Sequence, residues 1–498
     1  MCLLGIDVGT SGCKATIIDE EGNVKGQAYK EYPILTPQPG WQEIDPELVW
    51  NSVKEVIMIS LRQQSGEKLK AVSVSSFGEA AVPVDVKGNV LYNSLLYIDS
   101  RGQEEASYLK ERLGYQRILE ITGVPIHHMY TVNKIMWLKK HQPEVYRKTW
   151  KFLLFADFIL FKMGACPHTD YSLAARTMAF DVVKKEWSAE ILEGAGIEPE
   201  KLGEPVQAGT IVGRLSEKIA LDLGLSRDVL LVAGGHDQPC AALGAGVIQG
   251  GIAVDGLGTT ECITPAFDHP VISEAMAKSS FACVPHVIRD MYVTYAFTFT
   301  SGSMLKWYRN NFGYIYAKEA EQKKINLYDL MIEKALPGPS GIFVLPHFAG
   351  AATPYMDAFA KGAIVGLSID TRPEDIIQAI LEGITFEIMV NVEKLEEAGI
   401  KVEEIRVVGG LAKSDPFLQL KADMMGKKVT TLNVSEAGTL GVAILAGTAS
   451  GVYKSVGDAV KKLVKKKKEF YPDEKLHAIY MEKFQTYKRI YPAVKSIF

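Results

Sequence analysis

Apolar residues along this chain fall into short runs that end at glycine-rich turns, and the runs alternate with longer stretches of helical spacing. Residues 3–8 are largely apolar and end in Gly9-Thr10-Ser11-Gly12, residues 14–19 alternate, Glu20-Glu21-Gly22-Asn23 marks a turn, and residues 24–32 follow. Short runs bounded in this way read as three successive strands. Val49, Val53, Val56, Ile57 and Leu61 then recur at helical spacing, which predicts a helix over about 46–62. Asp45 suits its cap and Pro46 its first turn. Residues 70–75 supply the next strand.

The second half opens the same way. Asp7-Val8-Gly9-Thr10-Ser11-Gly12-Cys13 is echoed by Gly256-Leu257-Gly258-Thr259-Thr260-Glu261-Cys262, and each follows one apolar segment and precedes another. The pattern further predicts a helix over 374–397, a strand over 404–408, a Gly409-Gly410 turn and a helix over 415–425. Three meandering strands, a helix and a further strand form the opening of the ribonuclease-H-like, or actin-like, fold. The expectation is an α/β chain of two actin-like ATPase domains with a catalytic cleft between them. The Gly-rich stretch 244–251 puts the boundary near residue 250, giving domains 1–250 and 251–498.

A chain of 498 residues exceeds one core, and 47% hydrophobic with 23% charged residues is an ordinary globular composition. The net charge of −4 lacks the basic footprint of a nucleic-acid binder. The dense basic run Lys461, Lys462, Lys465, Lys466, Lys467 and Lys468 reads as a solvated helix face. Six scattered cysteines contain no CxxC pair, arguing against zinc and giving no case for disulfides. The apolar run after Met1 stops at Asp7, too short for a secretory leader, and no stretch has the ~18–20 apolar residues of a membrane span. A cytoplasmic protein with reduced thiols is expected, and a homodimer stays open.

Three motifs carry chemistry. In Asp7-Val8-Gly9-Thr10-Ser11, a tight glycine turn lets backbone amides approach phosphate oxygens, and the Thr10 and Ser11 hydroxyls add donors. Asp7 at the strand end can hold Mg²⁺, and Lys14 can add a point charge. An ordinary hairpin would read the same way. In residues 230–244, a buried strand and a glycine break lead to a helix with Pro239 in its first turn. This puts Asp237 on a loop, where it either caps the helix or accepts the proton of a substrate hydroxyl, with Gln238 beside it. His236 reads as structural. In Val408-Gly409-Gly410-Leu411-Ala412-Lys413-Ser414-Asp415, a bare turn could let adenine lie against backbone, with Ser414 and Asp415 as cap candidates. No G-x-G-x-x-G or P-loop pattern is present.

Across nearly its whole length the chain resembles the FGGY carbohydrate kinases, which include xylulose, ribulose, gluconate and glycerol kinases. The resemblance rests on ordered motifs: residues 6–11, the G-W-x-E-x-D-P stretch 40–46, a first signature at 129–141, Gly258-Thr259-Thr260, a second signature from 362 to 382, and Val408-Gly409-Gly410. It implies an ATP-dependent sugar kinase using Mg²⁺, with Asp237 as catalytic base and also near the metal with Asp7. It also implies phosphate and adenosine contacts from Gly9, Thr10, Ser11, Lys14, Gly258, Thr259, Thr260, Gly409, Gly410 and Lys413. The sugar side departs from the family's known patterns. Phe77-Gly78-Glu79-Ala80 matches neither the S-G-Q-M-H-G of xylulose kinases nor the N-Q-R-E of glycerol kinases. Gly78 there loses a donor or packing surface, while Glu79 can accept from sugar hydroxyls. Tyr97-Ile98-Asp99-Ser100-Arg101 resembles W-x-D-x-R, which makes Asp99 a sugar contact and Arg101 its structural neighbour. Trp41, Phe77, Tyr97 and Phe299 are candidates to stack on a sugar face. A ketopentose such as xylulose is the first expectation and a linear polyol or sugar acid the second. The rival readings are a non-kinase ATPase on the same fold and a sugar-binding regulator with a degenerate site.

Overall fold

Residues 1–64, 66–335, 338–434 and 436–497 are described in a computed structural model of the chain. The opening forms as β1 (Cys2–Val8), β2 (Gly12–Asp19) and β3 (Val24–Glu31), paired antiparallel in succession. Helix α1 (Pro46–Gln63) is capped by Asp45, which accepts from the Glu47 and Leu48 amides, an interaction worth ~1 kcal/mol. Val49, Val53, Val56 and Ile57 are fully buried on one face of α1, and burying each contributes roughly 1.5–3 kcal/mol. They hold the helix against β2 and β3. Then β4 (Leu69–Ser76) pairs parallel with β1. With β5 (Ile211–Arg214) and β6 (Leu230–His236) the sheet runs β5-β6-β4-β1-β2-β3, β6 parallel to β4 and β5 antiparallel to β6. Helix α2 (Asp237–Gly244) leaves β6 with no intervening loop.

The second sheet repeats this plan. The hairpin β7 (Gly251–Leu257) and β8 (Glu261–Phe267) carries the Gly258-Thr259-Thr260 turn. After helix α3 (Pro373–Glu397), β9 (Val402–Gly409) pairs parallel with β7. Helix α4 (Asp415–Met425) leads to β10 (Lys428–Leu432), parallel to β9. Helices α5 (Ala437–Ala449) and α6 (Val456–Leu463) precede β11 (Lys466–Phe470), antiparallel to β10. The order β11-β10-β9-β7-β8, continued by the short strand Tyr292–Val293, follows the six strands of the first sheet in turn, and Val284–Pro285 and Ala296–Thr298 add two more. The chain order of the outer strand also differs. It precedes its neighbour in the first sheet and follows it in the second.

The two sheets are joined by α5, which packs on β1, β4 and β6 and crosses α2. Leu3, Val232, Cys240, Leu243, Val442 and Leu445 share this core. The crossing is close because it is made at glycines. A Cβ on Gly244 would stand 1.9 Å from the Ala437 carbonyl oxygen, and one on Gly441 1.9 Å from that of Cys240.

Two sequence expectations are corrected here. The basic run is not one helix face, since Lys461 and Lys462 end α6 while Lys466, Lys467 and Lys468 lie on the exposed strand β11. Lys462 pairs with Glu21, Lys466 with Glu404 and Glu469, and Lys468 with Asp415. Lysines on an edge strand discourage pairing with a further strand. Ser414 and Asp415 head α4, but neither side chain caps it. Among the described residues, no helix is long and apolar enough to cross a membrane.

Candidate active site

The site is built at the carboxyl ends of the parallel strands, where open α/β sheets place ligands. The register pairs Asp7 of β1 with Ser75 of β4, and the Ser75 hydroxyl donates to Asp7 Oδ1 at 2.6 Å. Burial raises the Asp7 carboxyl above its usual range, opposed by Ser75 and Lys14. Gly9, Thr10 and Ser11 form the turn into β2, closed by a 2.9 Å bond from the Gly9 amide to the Gly12 carbonyl. Neither Gly9 nor Gly258 has a positive φ, so these glycines serve by leaving space rather than by conformation. The Lys14 ammonium is bound to Glu436 at 2.5 Å, across the domain junction. Its charge is therefore shared with a carboxylate, where the sequence suggested a free cation.

Asp237 sits at the first position of α2, directly after β6. The loop expected from Gly234 and Gly235 is absent, because both glycines lie within the strand. A Cβ on Gly234 would stand 1.9 Å from the Val74 carbonyl oxygen, so the glycine allows β6 and β4 to close. Asp237 does not cap the helix either. His236 holds that position, and Asp237 Oδ1 is buried without a hydrogen-bond partner among the described residues. The side chain as a whole stays one-third exposed. Burial, then the Asp7 and Glu79 charges, push its carboxyl up to about 7. Burial holds His236 neutral, and its Nδ1 lies 3.1 Å from the Tyr295 hydroxyl. Gln238 is half-buried on the same first turn.

On the sugar side, Glu79 adopts φ 65°, a conformation that costs a non-glycine residue on the order of 1 kcal/mol. Thr131 steadies it by donating to the Glu79 carbonyl at 2.7 Å. The Glu79 carboxylate is buried and accepts from Arg176 Nε at 2.6 Å and from Arg176 Nη2. Arg176 passes over Gly78, where a Cβ would meet Arg176 Cγ at 2.9 Å. Gly78 therefore does not empty the site of a donor; it makes room for one. Its guanidinium also stacks near the Tyr130 and Tyr295 rings, 5.2 and 5.6 Å from their centroids. The motif search missed Arg176. The signal was a lone charge in the apolar run Leu173-Ala174-Ala175-Arg176-Thr177-Met178-Ala179-Phe180.

Asp99 is fully buried, and its carboxylate is filled by Arg101 and by the Gln42 amide. It braces the loop carrying Tyr97 and offers no free oxygen to a sugar, contrary to its expected contact. Lys134, of the first signature, donates to the Asp99 and Arg101 carbonyls and stiffens the same loop. Of the stacking candidates, Trp41 packs on Arg101 and Trp137, and Phe77 on Phe155. Tyr97 and Phe299 remain partly exposed, and desolvation, then the Glu79 charge, raises the Tyr97 phenol above its usual range.

On the nucleotide side, Gly258, Thr259 and Thr260 are exposed, as are Gly409, Gly410 and Lys413. Leu257 pairs with Gly409 across β7 and β9, which brings the two turns together. Gly409 has φ 101°, and a Cβ there would stand 2.6 Å from the Leu257 carbonyl oxygen. A cavity of about 650 Å³ opens beside them, lined by Gly258, Thr259, Leu305, Tyr328, Gly410 and Lys413. Behind the turn, the fully buried Lys421 of α4 bonds Asp255 of β7 at 2.8 Å and also Glu261 of β8. Ser301 donates to the second Glu261 oxygen at 2.7 Å. Burial and the Glu261 charge raise the Asp255 carboxyl.

No cluster of three or more metal-ligating side chains exists among the described residues. Asp7 and Asp237 nonetheless fit Mg²⁺, which takes few protein carboxylates and keeps water and phosphate oxygens. They lie close enough for the Asp7 charge to raise Asp237, and Asp237 Oδ1, 3.2 Å from His236 Nε2, makes no hydrogen bond to a described residue.

Known proteins resemble this chain along nearly its whole length. The model of the FGGY family of carbohydrate kinases, N-terminal domain, matches residues 2–244, and that of the C-terminal domain matches residues 256–450. A xylulose kinase of Bacillus subtilis is 29% identical over 497 residues, 99% of this chain and 97% of its own. Among solved structures, a ligand-bound xylulose kinase from Lactobacillus acidophilus superposes with a TM-score of 0.89 at 26% identity, covering 99% of this chain and 98% of its own. A gluconate kinase from the same organism has the same TM-score, identity and coverage. Matched by both domain models over most of its length, this chain is a member of the FGGY carbohydrate kinases, which are ATP-dependent sugar phosphotransferases.

Proposed function

We propose that the enzyme transfers the γ-phosphoryl group of ATP to a hydroxyl of a ketopentose such as xylulose, with Asp237 as the base. The observation that carries this reading is the Asp237 carboxyl at the start of α2, whose Oδ1 makes no hydrogen bond to a described residue and which burial and the Asp7 and Glu79 charges push up to about 7. A base near the working pH combines a useful ionised fraction with enough basicity to take a hydroxyl proton. Adenosine rests in the cavity beside Gly410 and Lys413, and the Gly9–Ser11 and Gly258–Thr260 turns hold the phosphates through backbone amides and hydroxyls. Asp7 and Asp237 would hold Mg²⁺, which when bound neutralises charge on the phosphate oxygens. Glu79, Gln238 and Tyr97 orient the sugar so that one hydroxyl meets Asp237. That hydroxyl oxygen attacks the γ-phosphorus as its proton passes to Asp237, giving the sugar phosphate and ADP. Closure of the two domains about the α2–α5 crossing excludes water, the competing acceptor.

This reading gives sugar recognition to residues 1–250 and nucleotide binding to 251–498, in a cytoplasmic enzyme. A linear polyol or sugar acid is the second reading, because Phe77-Gly78-Glu79 matches neither well-known sugar motif. A coupled ADP assay across ketoses, aldoses, polyols and sugar acids tests it. Sugar-dependent ADP release that favours a ketopentose is the expected result. ADP release indifferent to every sugar would leave only a water-acceptor ATPase.

A further inference from the structure

The sugar pocket contains a buried ion pair whose two members come from residues 97 positions apart. Glu79 and Arg176 have side chains 4% and 8% exposed, and both Nε and Nη2 of Arg176 go to one carboxylate oxygen, Oε1. No described residue donates to the other oxygen, Oε2, and it is not among the sealed, unpartnered atoms. The arrangement depends on Gly78, since a Cβ there would meet Arg176 at 2.9 Å and His236 at 3.2 Å. The pair thus presents a free acceptor oxygen, while the cation behind it is already neutralised.

The other basic groups near the pocket are committed in the same way. Lys134 gives its protons to the Asp99 and Arg101 carbonyls, and Lys14 is held by Glu436. His127 lies on the surface with its Nδ1 accepting from the Met129 amide at 3.2 Å, burial pushes His128 down to about 4, and burial holds His236 neutral. Asp237, close enough to Asp7 and Glu79 to feel both charges, adds acceptor oxygens and no cation. A polyhydroxy chain can donate to Glu79 Oε2 without facing an unpaired charge. A carboxylate in the same place would meet acceptors and no unspent cation, and an unpaired buried charge is strongly disfavoured.

We propose that the Glu79–Arg176 pair, admitted by Gly78, makes this pocket select uncharged polyhydroxy substrates and turn away sugar acids. The inference rests on the kinase reading above and narrows its substrate to ketoses and polyols. The family comparison leaves this choice open, because the xylulose and gluconate kinase structures superpose equally well. Arg176 acts through Glu79 and is a positioning residue, whereas Glu79 makes the substrate contact.

The test measures binding of a matched five-carbon set (ketose, alditol and aldonate) by calorimetry, alongside ADP release, for the wild type, Glu79→Gln and Arg176→Gln. The wild type should bind its preferred neutral ligand at least ~100-fold more tightly than the aldonate, about the discrimination expected when a buried polar group is left unpaired. Glu79→Gln leaves Arg176 as an unspent cation, so it should weaken the neutral ligand and tighten the aldonate, shifting their ratio at least ~10-fold toward the acid. Arg176→Gln should lose neutral binding without gaining the aldonate. Nucleotide affinity should be unchanged in both, a split that general destabilisation would not produce. A wild type that binds the aldonate as tightly as the neutral ligands overturns the inference, even if neither variant folds. So does a Glu79→Gln protein with an unmoved ratio. If no ligand elicits ADP, the kinase reading fails, while the binding ratios still decide the pocket's preference.

Discussion

At Asp237, burial and two neighbouring carboxylates act together, and each pushes the carboxyl in the same direction, to about 7. The base must be ionised to accept a proton, so kcat/KM for the sugar should rise with pH and level off above about 7. His236, held neutral well below that range, should leave no separate limb near its ordinary value. A profile flat from pH 5.5 to 8.5 would show that chemistry does not depend on this group. Asp237 was legible in the sequence because strand, glycine pair, acid and helix-start proline follow one another in eight residues. Its state was not, because the carboxylates that raise it come from β1 and from Glu79. Arg176 showed only as a lone charge in an apolar run, with its partner Glu79 supplied by folding, and Asp99 looked like a ligand because its partners, Gln42 and Arg101, are defined only by folding.

Elements were legible where period and punctuation agreed. The α1 and α4 helices fall within one or two residues of their expected limits, since apolar spacing and a cap or proline mark their starts. The lysine run misled because charge density alone does not separate a helix end from an exposed strand. The phosphate turns show what pattern reading gives and what it lacks. Their glycines were expected, but not the Lys421 bridge that ties β7, β8 and α4 together behind one of them. At Gly258 a Cβ would meet only the Thr260 carbonyl oxygen, at 3.3 Å, with no positive φ to strain. Gly258→Val should therefore fold normally yet lose ATP affinity at least ~10-fold, with sugar affinity unchanged, because branched methyls would occupy the phosphate's approach. Titration of nucleotide and sugar separately checks this, and loss of sugar binding alone would mean that the domain roles are reversed.

At the scale of the whole molecule, a seven-residue echo in the sequence stands for two sheets that share the order of six strands. The echo was weak because equivalence lies in pairing order, which different side chains can satisfy. The domain junction was hidden altogether, since nothing local marks α5 as a helix that leaves its own sheet for the other. Its glycine contacts make a further prediction. In Gly441→Leu, a side chain would start 1.9 Å from the Cys240 carbonyl oxygen, so the α2–α5 crossing must open. Overpacking of this kind costs typically 1–3 kcal/mol, and the variant should melt several degrees lower, with turnover reduced more than nucleotide affinity. The central claim is that this fold brings a sugar hydroxyl to Asp237 beside ATP. Sugar-dependent ADP release by wild type and Asp237→Asn, with ATP affinity measured in parallel, tests it most directly. The expected result is intact ATP binding with phosphorylation reduced at least ~100-fold. Near-normal sugar phosphorylation by Asp237→Asn would contradict it.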